Sequence, residues 1–213
     1  MATLAISRQQ SAVIPIRRTC IAGWLAFALT VVTSIAVGGS ETWWKYSLCA
    51  LGTNASHNPW VFRSGVLVTA CLFGVLGAQT RNVLALHVEA ARLRPRQAQV
   101  VTAAIALVVI ALVVVALVPY DAGAPEKLVH NIAGWGSGWV CAISMLLVLR
   151  SPRFLGRTFF THTLAALAVF LLFFAGFEAG VLTYSQAEIG AISAVAVWTT
   201  LLFANLERLG EAT

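Results

Sequence analysis

The chain has 213 residues, 59% of them hydrophobic and 10% charged, with a mean hydropathy of +0.85 and a formal net charge of +6. That composition excludes an ordinary soluble domain and a disordered chain, and four cysteines without a CxxC pair make neither a disulfide framework nor a redox site. The basic residues flank apolar runs, where anionic lipid headgroups attract them, so the positive charge does not call for a nucleic-acid partner.

A helix rising 1.5 Å per residue needs about 20 residues to cross a bilayer. In chain order such stretches fall near 20–38, 61–78, 100–120, 131–149, 159–182 and 188–205. Segments of about ten residues with apolar and polar side chains alternating would mark a β-barrel, and none occurs. Helices then remain as the way to satisfy the backbone in lipid. The predicted fold is an all-α integral membrane protein, a six-transmembrane-helix bundle over 20–205, with a segment 1–19 before it and a tail 206–213 after it.

The first run follows Arg17 and Arg18, as a secretory signal would, but it exceeds the usual core of about 7 to 15 residues and is read as a retained span. Between the first two spans, "SETWWKYSLCALGTNASHNPW" concentrates Trp43, Trp44, Tyr46 and Trp60. These rings favour the headgroup layer, so the loop is expected to form an aromatic belt, with a short interfacial helix that includes Leu48 and Leu51. After the second span, "RNVLALHVEAARLRPR" reads as a basic helical extension ended at Pro95. Small residues at Gly74 and Ala78, Gly134 and Gly138, and Gly176 and Gly180 are predicted to be seams of close helix approach.

Eleven basic residues, Arg8, Arg17, Arg18, Arg81, Arg92, Arg94, Arg96, Arg150, Arg153, Arg157 and Arg208, fall on one side of this topology. Only Lys45, Arg63 and Lys127 fall on the other. The positive-inside rule therefore places both termini in the cytoplasm.

Within "LLFFAGFEAGVLTYSQ" stands a lone carboxylate, Glu178. If Tyr184 marks the outer interface, six residues put Glu178 roughly 9 Å below it, where an unpaired charge costs at least about 2 to 3 kcal/mol. Arg63 is the expected partner, with Asp121, His130 and Asn131 at similar depth. The candidate site is thus an outer-leaflet polar pocket of Arg63, Asp121, His130, Asn131 and Glu178, suited to a lipid or small amphiphile.

Six spans with both ends inside, an extended outer loop before "NP", a third helix ending "ALVPYD" and a fourth beginning "HNIAGWGSGW" carry a resemblance. Over about 20–205 the chain resembles uncharacterised bacterial and archaeal membrane proteins grouped with the Frag, DRAM and Sfk family. That resemblance implies a bacterial inner-membrane location, a role in lipid organisation or lipid-anchor remodelling, and a cluster of Pro119, Asp121 and His130.

Three other functions fit the same residues. A buried carboxylic acid would serve an intramembrane enzyme of the cyclase type. His57 with His130, and His87 with His162, would hold two haems in an electron carrier. A bundle without a soluble domain would also suit an accessory subunit or a homo-oligomer. No metal or cofactor motif is present in the sequence, so neither is expected.

Overall fold

The computed structural model describes residues 16–38, 43, 47–89, 94–149 and 152–211, with side chains for all of these except 152–155 and 209–211. The expectations placed on Arg8, Trp44, Lys45, Tyr46, Arg92 and Arg150 lie outside the described residues.

The described chain forms six long helices: α1 (Ile16–Gly38), α2 (Pro59–Glu89), α3 (Pro95–Leu117), α4 (Ala124–Leu149), α5 (Pro152–Glu178) and α6 (Tyr184–Glu211). All six contain a stretch long and apolar enough to span a membrane. Pro59, Pro95 and Pro152 each open a helix, at the position where a missing N–H costs nothing. At the start of α3 the Gln97 side chain also accepts the Arg94 N–H at 3.1 Å, forming half of a capping box. The basic stretch after the second span continues α2 as far as Glu89, as the sequence suggests.

Consecutive helices pack side by side, and α1 returns to α6, so the six close into a ring. Large apolar side chains such as Leu29, Ile110, Leu172 and Val197 face outward, as a lipid-facing surface requires. In lipid, apolar burial gives little drive for helices to associate, so close backbone approach and polar contacts hold the ring together. The Trp24 indole donates to Thr199 Oγ1 at 2.9 Å, joining α1 to α6. The Trp198 indole donates to Thr163 Oγ1 at 3.1 Å, joining α6 to α5. Near the charged end, the Arg17 backbone N–H donates to Glu207 at 2.8 Å. The core of the bundle at that end includes the buried Leu84, Met145, Phe159, Leu202 and Leu206.

The close approaches lie at other glycines than those expected. A Cβ at Gly65 would strike Thr30 of α1, one at Gly190 would strike the Phe173 ring of α5, and one at Gly23 would come 2.7 Å from Phe73 of α2. Gly74 and Gly134 have open space where a Cβ would go, and at Gly138 the nearest atom is Phe170 at 3.6 Å. Gly176 and Gly180 form a turn instead of a seam. Gly180 has φ +70, and the Val181 and Leu182 N–H groups both donate to the Gly176 carbonyl, at 3.0 and 3.1 Å. This is a helix C-cap that requires glycine, with Leu182 folded back on Gly176. It ends α5 at Glu178, short of the expected 182.

Two substitutions test this packing. Gly65→Ala should lower thermal stability in detergent by about 1 to 3 kcal/mol, while Gly74→Ala changes it little. Thr163→Val keeps the shape but leaves the buried Trp198 N–H without an acceptor, and a loss of about 1 to 3 kcal/mol is expected.

Candidate functional site

The end of the bundle away from the arginine-rich side is closed by the loop that follows α1. The last carbonyls of a helix need external donors, and the returning chain supplies them. Asn58 Nδ2 donates to the Val37 carbonyl at 2.8 Å, and Ser56 Oγ and the His57 N–H donate to the Gly38 carbonyl at 3.0 and 3.3 Å. The loop is thereby held over the ring, where Leu48–Gly52 forms one 3-10 turn with Leu48 and Leu51 buried in the bundle. The expected flat interfacial helix is therefore an inserted roof.

Four elements hold this roof. From α6, Glu188 Oε2 accepts the Leu48 N–H at 2.7 Å, and Ser185 Oγ donates to the Trp43 carbonyl at 2.8 Å. From α2, Arg63 Nε donates to the Gly52 carbonyl at 2.7 Å, and its Nη2 donates to Asn54 Oδ1 at 3.2 Å. From the turn between α3 and α4, Asp121 Oδ2 accepts the Asn54 N–H at 2.8 Å. The fourth is α1, through its capped end. Asn54 thus bridges Arg63 and Asp121.

Beneath the roof lies a cavity of about 200 Å³ lined by all six helices and the 3-10 turn. Aromatic side chains dominate its wall. Trp135 meets Phe174 and Tyr184 edge-on, with ring centroids 5.7 and 5.5 Å apart, and Trp139 meets Phe174 at 5.4 Å. Gly134 and Gly138, which also line the cavity, leave room on the α4 side. Trp139 both lines the cavity and is exposed on the outside of the bundle, so the α4–α5 seam there is only one ring thick.

One carboxylate reaches this wall. Glu188 stands four residues into α6, about 6 Å along its axis. Its Oε1 makes no hydrogen bond among the described residues and is not sealed from the cavity it lines. Cys49 of the roof lines the same space, and burial pushes its thiol up from the ordinary range, with the Glu188 charge adding to the effect. A thiol held in its neutral form reacts slowly.

The residues singled out from sequence fall around this cavity rather than in it. Arg63 and Asp121 are roof ties. His130 is buried, with Nδ1 2.6 Å from the Val118 carbonyl and its ring edge-on to Tyr120. Asn131 is half-buried, and Glu178 is exposed at the end of α5. None of the five lines the cavity. The Arg63–Glu178 pair is not formed: α2 and α5 are not neighbours in the ring, Arg63 is bound to Gly52 and Asn54, and Glu178 is exposed at the end of α5. Of the histidines weighed as haem ligands, His57 and His162 are exposed while His87 and His130 are buried. In the sequence Glu188 marks only the edge of the sixth span. Its signal in "YSQAEIG" is an acid one turn inside a helix start, beside the close-packing Gly190.

The family described as "Protein of unknown function (DUF998)" matches residues 20–205, which takes in the roof and nearly all of the helical ring. The chain belongs to the DUF998 family. No curated protein and no solved structure matches it.

For this DUF998 protein the roof geometry predicts two outcomes. Glu178→Gln should change stability by no more than about 0.5 kcal/mol, and its effect should add to that of Arg63→Gln without coupling in a double-mutant cycle of melting curves. Glu188→Ala should release the roof and speed alkylation of Cys49 in purified protein, located by peptide mass spectrometry, whereas Glu188→Gln, which keeps an acceptor for Leu48, leaves the rate near wild type.

Proposed function

We propose that this integral membrane protein holds a small amphiphile in the roofed cavity, with Glu188 as the polar anchor and the aromatic wall enclosing the apolar part. The observation that carries this reading is the cavity itself: apolar, walled by every helix, with one carboxylate oxygen left without a partner among the described residues. Pockets that bind small molecules have this composition, mostly apolar with a few placed polar groups.

Size limits the ligand. A cavity of about 150 Å³ takes benzene, so about 200 Å³ takes a molecule or chain segment only slightly larger. A whole phospholipid exceeds it, and a short amphiphile or one part of a lipid fits. The buried core below, with Leu84, Met145, Phe159 and Leu206, favours holding a molecule over conducting one. The α4–α5 seam at Trp139 is the proposed route from the bilayer. The resemblance to the Frag, DRAM and Sfk group points in the same direction, toward lipids and lipid-like molecules. The arginine distribution supports a topology with both termini in the cytoplasm, which would put the roof and cavity in the outer leaflet.

Two measurements test this. In neutral detergent, 1-hexanol should change the tryptophan fluorescence saturably, since Trp24, Trp135 and Trp139 line the cavity. Gly138→Leu should fill the space and weaken that response at least about tenfold, with little loss of thermal stability, because its Cβ meets only Phe170 at ordinary distance. A linear, non-saturating response in wild type would refute the pocket. For orientation, Val181→Cys in the exposed α5–α6 turn should react with an impermeant maleimide on intact cells. Labelling only after permeabilisation would reverse the topology.

A further inference from the structure

Resting on that reading of the cavity, we infer that the ligand's polar end is an organic ammonium ion, held between the Glu188 carboxylate and the aromatic rings of the wall.

Three observations converge on a cation. The first is the carboxylate: Glu188 lies inside a membrane-spanning helix and has one hydrogen bond, to the Leu48 N–H, on one of its two oxygens. A carboxylate at such a place is stabilised by an opposite charge, and no ion pair supplies one among the described residues. The cations described at this end are engaged elsewhere. Arg63 is spent on Gly52 and Asn54 and lies over Trp60 at 5.2 Å, and Lys127 lies over Tyr120 at 4.7 Å.

The second observation is the wall. Trp135, Phe174, Phe177 and Tyr184 form one cluster of rings, centroids 5.1 to 6.2 Å apart, and all four line the cavity with Glu188. Aromatic faces attract cations through their quadrupole, and a desolvated cage of rings is how proteins take up ammonium groups.

The third is the roof. The Leu48 N–H fixes Oε2 and leaves Oε1 without a hydrogen bond among the described residues, and an ionised carboxylate accepts hydrogen bonds without donating. A protonated primary amine matches it with an N–H donor and a positive charge together. An alcohol matches only the donor, and a carboxylate matches neither. The size already derived leaves room for a tail of a few carbons.

The test compares three probes, each six carbons long, on the purified full chain in a non-ionic detergent at pH 7: n-hexylammonium, 1-hexanol and hexanoate. Dissociation constants are read by tryptophan fluorescence and checked by melting shift. Hexylammonium should bind about tenfold or more tighter than hexanol, and hexanoate should not bind. Glu188→Gln should remove that preference while leaving hexanol binding nearly unchanged, and Trp135→Leu should weaken hexylammonium more than hexanol. Should Glu188→Gln fail to fold, the probe ranking on wild type and the Trp135→Leu difference decide alone. Saturable hexanol binding with hexylammonium no tighter would overturn the ammonium assignment and leave the amphiphile pocket standing. Saturable binding by none of the three would overturn both.

Discussion

Among the ties that hold the roof, the one that places it over the cavity is the hydrogen bond from the Leu48 N–H to the Glu188 carboxylate at 2.7 Å. It crosses from the loop after the first helix to the start of the last, and so ties together the two ends of the ring. Without it the 3-10 turn would present an unpaired N–H to a buried apolar surface, a cost of about 1 to 3 kcal/mol. The hydrophobic anchors Leu48 and Leu51 explain why the turn enters the bundle. The carboxylate explains where it stops. The cavity is the space left between that stop and the packed half below.

The two halves of the bundle differ in what their side chains can do. At the arginine-rich end, flexible residues such as Leu84, Met145 and Leu206 pack around the Phe159 ring and fill the core. At the roofed end, planar rings meet edge-on, and α4 presents Gly134 and Gly138 where side chains would otherwise fill the gap. Rigid rings around glycine do not collapse as aliphatic chains do. A permanent hollow is the result, in the half of the bundle that also has the buried acid.

The six helices were legible in the sequence because length and apolarity alone decide them, and only their ends shifted. The seams were not. Gly134 and Gly138 have the spacing of a contact, but spacing does not say whether a neighbour stands opposite, and here the cavity does. Gly176 and Gly180 share that spacing and make a helix cap instead, which a single positive φ decides. That one turn leaves Glu178 exposed at the end of its helix, away from the Arg63 that ties the roof. Glu188 had no such prominence, since an acid at the edge of an apolar run reads as solvated until the roof above it is known. Arg63, Asp121 and the loop are joined through a backbone N–H and a side-chain amide of Asn54, contacts that no residue pattern encodes.

The order of the ring also bears on how the protein is made. Each helix packs beside the one before it, so during synthesis the chain can be laid down as successive hairpins, each completing a surface for the next. Among the helix pairs of the ring, the one that joins the most distant segments is α6 with α1, through Thr199 and Trp24. Glu188 travels with that final helix. The earlier helices therefore enter the membrane without the acid, and its desolvation is deferred until the roof it will hold is already present. The ring closes and the chamber comes into existence in the same step.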